Sequence, residues 1–468
     1  MGFFGSAART VEDAGVATAP APAGSTGRVA EIVLDIQRQV SRVRGLAIKA
    51  PLESRLMTHD ELLRFALQEL SRQYGERFDT LDFFLRAWGL IPLETPPLRD
   101  LYLIALREQV GGLYDPHSRT LYILQGFDPD SAVGRIILAH EICHALQDQH
   151  FNLAEAIERR FSNEDALLAF QAVVEGDATL LMTEYSLETG NSLDLRSILS
   201  LLQTTQGQFY VMPYYLQQMF VQPYLTGSAF LTELTFSGTM PRNAPLQSPP
   251  LSTEQILHPE KYTAPLRDDP TSVTLPDRPR LSAAGWTRPL NNTMGELQIK
   301  LLMDAWHGLA RGARLAEGWD GDAYSFWHKD NEFFSEWRSV WDSPGEAAEF
   351  YDGLLNLMQR RSASTLACAA WGDPAPPNPA TDAWAGQQHA AQAKNMKNET
   401  SGDGAARLLF DLGCFDPAPG DAPHNAAAVQ DAARVEGANW RFLIARAGDR
   451  VHAALFTLDA EKLITGKK

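Results

Sequence analysis

The stretch that decides the fold is SAVGRIILAHEICHALQDQHF, residues 131–151. It follows the cap residues Asp128-Pro129-Asp130-Ser131 and runs to Phe151 without a proline, so it reads as one long helix. Within it stand His140-Glu141-Ile142-Cys143-His144. Residues four apart on a helix differ by about 40°, so His140 and His144 leave one face and are spaced to bind one zinc ion through imidazole nitrogens. Glu141 lies about 80° from their mean direction. That places its carboxylate beside a metal without making it a ligand, the position from which it can take a proton from water. Val133 and Ile137 share the histidine face, which predicts that the pair emerges from a buried apolar stripe.

Upstream, GGLYDPHSRTLYIL carries turn residues Asp115-Pro116-His117-Ser118 between two β-prone runs, which predicts a hairpin ending near Leu124. From Val29 to Val110 the pattern is helical, with Thr58-x-x-Glu61 as a capping box. Downstream, SNEDALLAFQAVVEGDATLLMTEYSLE predicts a second long helix behind a Ser162-x-x-Asp165 cap. Two histidines hold zinc weakly, so a third ligand is required. Glu175 is the best candidate, because an unpaired carboxylate amid AVVEGDAT would be expensive to bury, with Glu184 the fallback. Gly176 beside it would let two helices approach closely.

The later segments divide into an apolar helical stretch over 196–236 limited by Pro213 and Pro223, and a Pro-rich, packed, irregular stretch over 241–270. Further helical patterns follow over 294–315 and 344–361. The composition of 364–437 suggests a linker, and 439–458 a hairpin turning at Gly448-Asp449. The expected organisation is a flexible leader at 1–28, a helical layer at 29–110, a catalytic region at 111–360, and a linker with a C-terminal hairpin at 361–468.

Composition narrows the function. The 468 residues carry 41 Lys+Arg against 58 Asp+Glu, a net charge of −17, which disfavours phosphate backbones and anionic lipid, so no nucleic acid is an expected partner. No apolar run reaches the roughly 18–20 residues of a membrane span, so no transmembrane segment is expected. With Cys143, Cys368 and Cys414 alone, a disulfide framework is ruled out, though Cys368 and Cys414 can pair. The Ala/Pro/Gly-rich N-terminus lacks the form of a signal peptide, yet an exported chain trimmed of its signal would look the same.

An HExxH helix followed about thirty residues later by a helix bearing glutamate resembles the gluzincin zinc metallopeptidases. The words HALQDQHF, VVEGDATL, STEQILHPEKY and AEGWDGDAY resemble those of a bacterial group of HExxH proteins. The first likeness covers about residues 105–190, and the looser one reaches about 330. The resemblance implies an α+β, predominantly helical protein with a zincin-like core and a small sheet packed on the HExxH helix. It implies one zinc per chain on His140, His144 and Glu175, Glu141 as general base and acid, and a polypeptide substrate paired along the strand at Thr120–Leu124.

Many gluzincins place an acidic residue four positions after the ligand glutamate to orient a ligand histidine. Here that position is Thr179, while Asp177 lies about 200° round the helix and is expected to cap or pair elsewhere. Oxyanion-donor candidates are His258 and Tyr262, then Tyr324. Cys143 is expected to be core packing, His150 structural, and Gln147 either a hydrogen-bonding group in the cleft or a helix former. Asp320-Gly321-Asp322 reads as a turn. The rival reading is a non-catalytic or latent zincin-like scaffold that binds a partner or envelope component.

Overall fold

A computed structural model describes residues 23–363, apart from 76, 110, 191–211, 264, 266, 287–289 and 331, together with 431–436, 440–457, 460, 461 and 464. Cys368 and Cys414, the linker at 364–430 and most of the leader lie outside these residues. The protein is α+β and divides into two compact units, residues 1–78 with 96–268, and residues 79–95 with 269–468. The dividing point thus falls at 268, well before the linker that composition suggests.

The first unit holds α1 (Ala23–Arg44), β1 (Glu53–Met57), α2 (His59–Tyr74), the start of α3 (Arg77–Ala87) and α4 (Leu98–Gln109). It continues with β2 (Gly112–Asp115), β3 (Thr120–Leu124), α5 (Ala132–Phe151), α6 (Leu153–Glu158), α7 (Glu164–Glu188) and α8 (Tyr214–Phe236). The hairpin forms as expected, and so do the Thr58/Glu61 capping box and the Ser131 cap, whose Oγ accepts from Gly134 N. At α7 the cap is Asn163, one residue beyond Ser162. Pro223 sits inside α8 rather than ending it.

One strand is unexpected. Within the supposedly helical layer, β1 pairs in parallel with β3, giving the order β1-β3-β2. Thr120–Leu124 is therefore the central strand with both edges used, which corrects the expectation that it would pair with a substrate. Leu121 and Ile123 of β3 pack against Ile136, Leu138, Ala139 and Ile142 of α5, and α1 and α7 close the same core. The stripe that anchors α5 is thus Ile136, Ala139 and Cys143 with their neighbours; Val133 is exposed and Ile137 only half-buried. Among the described residues one helix, α7, is long and apolar enough to cross a membrane, but 83% of its apolar window is buried inside the protein, as befits a core helix.

Helices α7 and α8 cross with their backbones touching. A Cβ on Gly176 would lie 2.2 Å from the Gly227 carbonyl carbon, and one on Gly227 would lie 1.7 Å from Ala172 O. The close approach expected at Gly176 is present, with α8 as its partner.

The second unit is built on a six-stranded antiparallel sheet of order β4-β5-β6-β9-β8-β7. Its strands are β4 (Leu290–Asn292), β5 (Trp319–Lys329), β6 (Glu332–Trp341), β7 (Asp431–Glu436), β8 (Trp440–Ala447) and β9 (Arg450–Thr457). Helices α9 (Gly295–His307), α10 (Leu309–Ala316) and α11 (Pro344–Ala363) accompany it. The C-terminal hairpin is present as β8-β9, but it extends a sheet begun by the long β5-β6 hairpin, an element outside the expected organisation.

Candidate metal centre

The buried core of the first unit brings His140, His144 and Glu175 together. Glu175 Oε2 lies 3.1 Å from His140 Nε2 and 3.4 Å from His144 Nε2, and the two imidazole nitrogens are 3.0 Å apart. A tetrahedral zinc with ligands at about 2.0–2.1 Å has ligand-to-ligand edges of about 3.3 Å, so this triangle of donors has the size of one face of such a site. Two neutral-capable imidazoles and one carboxylate are also the donor set that zinc prefers. The residues fit the ion.

The electrostatics follow from the triangle. Burial opposes ionisation of Glu175, but the two imidazoles outweigh it and hold the carboxyl well below its usual range. Burial likewise disfavours charge on His144, yet the Glu175 carboxylate and its hydrogen bond raise that imidazole to about 9. Glu141 stands beside the triangle, its Oε2 accepting the Tyr114 N–H of β2 at 2.8 Å. Burial lifts its carboxyl above the ordinary value against the pull of both histidines and of Tyr114.

Behind the donors, His144 Nδ1 lies 2.8 Å from Gln147 Oε1, and Gln147 Nε2 donates to Asp177 Oδ2 at 2.7 Å and to Val174 O at 3.1 Å. Asp177 is fully buried and receives Arg44 Nε at 2.8 Å and Arg242 Nε at 2.5 Å. Burial opposes its ionisation, but those two guanidiniums outweigh it and keep the carboxyl below its ordinary range. The Thr179 hydroxyl donates to the Glu175 backbone oxygen one turn back on its own helix, and so takes no part in orienting a histidine. Asp177 pairs elsewhere, as expected, and reaches His144 through Gln147.

The remaining candidates separate. Glu184 is half-exposed and paired with Arg242 at 2.7 Å, so it is not the third donor. Cys143 is buried and free, its Sγ 3.9 Å from Asp177 Oδ2 in the α1–α5–α7 core, and burial pushes the thiol well above its ordinary value. His150 is tied to Ala47 O. Tyr262 is locked in the core with its hydroxyl donating to Ser248 O at 2.8 Å, and His258 joins two short helices with its Nδ1 3.9 Å from Glu260. Tyr324 belongs to the second unit, stacked on Phe84 with ring centroids 4.3 Å apart.

The tyrosine at the metal triangle is Tyr224 of α8. Its ring stacks on His140 with centroids 5.9 Å apart, and its hydroxyl bonds to Glu175, while burial and the Glu175 and Glu141 charges push the phenol far above its ordinary value. Nothing in the sequence near Tyr224 announces this, because the Gly176–Gly227 crossing is what carries it there.

Residues 280–390 match a domain of unknown function (DUF8575), a segment of the second unit that contains none of the triangle. No curated protein and no solved structure matches the chain.

Proposed function

We propose that this chain is a zinc-dependent endopeptidase with a gluzincin-like centre. The observation that carries the proposal is the triangle of two histidine nitrogens and one carboxylate oxygen, 3.0–3.4 Å on each side, with Glu141 next to it as a non-ligand. His140, His144 and Glu175 would hold the ion, which when bound supplies a Lewis acid that polarises the substrate carbonyl and acidifies water. Glu141 takes the proton from the attacking water and delivers it to the leaving amine nitrogen. The Tyr114 N–H holds Glu141 through Oε2, leaving Oε1 for that proton. Tyr224, rather than His258 or Tyr262, is the candidate to face the developing oxyanion. The outer edge of β2, which among the described residues pairs only with β3, offers main-chain groups to an extended peptide.

A scaffold without turnover is favoured by one observation, the buried Nδ1 of His140, which has no hydrogen-bond partner among the described residues. Elemental analysis and turnover of an unbiased peptide library decide between the readings. Wild type should carry one zinc and cleave, and Glu141→Gln should keep the zinc while turnover falls about 100-fold or more. Stoichiometric zinc without cleavage would select the scaffold, and a chain that takes up no zinc would sink both.

A further inference from the structure

We infer that Gln147 is a positioning residue for the metal centre, an amide relay that fixes His144 by its outer nitrogen and is itself held by Asp177. The inference rests on the zinc reading proposed above. A ligand histidine that binds through Nε2 must present an N–H at Nδ1, and the group accepting that proton sets both ring orientation and tautomer. At His144 the acceptor is Gln147 Oε1, 2.8 Å away. An amide side chain can turn over, exchanging acceptor for donor, and a turned Gln147 would aim an N–H at the histidine.

The surroundings forbid the turn. Gln147 Nε2 donates to two acceptors at once, Asp177 Oδ2 at 2.7 Å and Val174 O at 3.1 Å, and neither could accept from an oxygen. Asp177 in turn cannot leave, because Arg44 of α1 and Arg242 both hold its carboxylate. Arg242 also donates to the Asp177 backbone oxygen at 2.8 Å, and Arg44 reaches Asn243 at 2.7 Å. The polarity of the whole chain is therefore set by two arginines that touch no ligand: guanidinium to Asp177, Asp177 to amide nitrogen, amide oxygen to His144. Glutamine is the side chain that serves both ends, since it accepts and donates from one planar group, and its carbonyl suits a site whose charge is already supplied by Glu175. Gln147, on the HExxH helix itself and held by Asp177 with Arg44 and Arg242 behind it, hence does what Thr179 cannot.

Two substitutions separate positioning from mere packing. Gln147→Met fills the same volume and bonds to neither end, whereas Gln147→Glu can still accept from His144 but places a second carboxyl against Asp177. Zinc affinity of the full chain, measured by competition with a chromophoric chelator, should fall about 10- to 100-fold in Gln147→Met. It should stay within about 3-fold of wild type in Gln147→Glu, even though the metal-free melting temperature of that variant drops. Cobalt-substituted protein gives the second readout: its visible spectrum should change in Gln147→Met and match wild type in Gln147→Glu. Equal zinc affinity in wild type and Gln147→Met would overturn the relay, and so would a Gln147→Glu variant as weak as Gln147→Met. Wild type that binds no zinc would instead bring down the metal reading on which the relay depends.

Discussion

Glu175 in the first unit and Asp322 in the second are both carboxylates buried against nitrogen atoms, and the two arrangements are chemical opposites. Asp322, in the second unit, accepts from Gly295 N and Trp319 Nε1 through Oδ1 and from Met294 N and Trp337 Nε1 through Oδ2, all at 2.9–3.0 Å. Every one of those nitrogens bears a hydrogen and no available lone pair, so the carboxylate is complete as the chain folds. Burial lifts its carboxyl to about 6 against the pull of those four donors, which leaves it ionised at neutral pH. Glu175 faces two imidazole nitrogens that also approach each other at 3.0 Å, and at least one of the pair must present a lone pair. Such a cluster is balanced only by a cation, whether the proton held by His144 or a metal. Counting donors around a buried acid thus separates a group that caps a helix from one whose nitrogen neighbours still offer a lone pair.

The contrast can be broken most forcefully at Glu175. Glu175→Gln supplies a poorer ligand oxygen, and if each of three ligands carries a share of the roughly 10–16 kcal/mol typical of protein-bound zinc, affinity should fall by about 3–5 kcal/mol, read by chelator competition. The melting temperature of the metal-free variant should change far less than that of zinc-loaded protein. Asp322→Asn is the converse and should cost about 2–3 kcal/mol in denaturant unfolding, since its amide N–H₂ meets N–H donors. Zinc content should not move. If zinc content falls with Asp322→Asn, or Glu175→Gln binds zinc as wild type does, the distinction between the two acids fails. The smallest expected effect is at Cys143, whose substitution by Ala should cost about 1 kcal/mol through a small cavity and leave zinc stoichiometric. Loss of metal there would show that the thiol serves the centre and not only the core.

The sequence made the first acid far more legible than the second. His140, Glu141, His144 and Glu175 sit on two long helices legible from their length and caps, Ser131 before α5 and Asn163, next to the expected Ser162, before α7, and Gly176 signals a close crossing even before its partner is known. Asp322 is obscured because Asp320-Gly321-Asp322 has the composition of a turn, while in the fold it lies on β5 just past a register shift between Trp319 and Gly321. The strands β5 and β6 escaped for a related reason: nearly all of β6 is buried on both faces, and Glu336 and Arg338 are buried with it. Glu336 is matched by Arg278, fifty-eight residues away, so the alternation of apolar and polar residues that betrays a strand is absent. β1 is hidden differently, being a five-residue edge strand with Glu53 and Arg55 exposed and helices before and after it. Tyr224 and Asp177 meet their partners across helices, as does the Gln147 amide nitrogen, and no local pattern encodes those distances.

The contact of Gly176 with Gly227 has a consequence for how this protein can vary. Where a new methyl group meets the end of a flexible side chain a change of rotamer can absorb it, but here it would strike backbone on the opposite helix. Neither glycine can be exchanged ahead of the other, because the obstacle at each is main chain, which has no alternative to adopt. Glu175 adjoins the first and Tyr224 lies three residues before the second, so both inherit their spacing from this one crossing. A sequence drifting by single steps can redesign the surface of this unit and its sheet edge, while the interval between α7 and α8 at the height of Glu175 and Tyr224 stays fixed by the absence of two side chains.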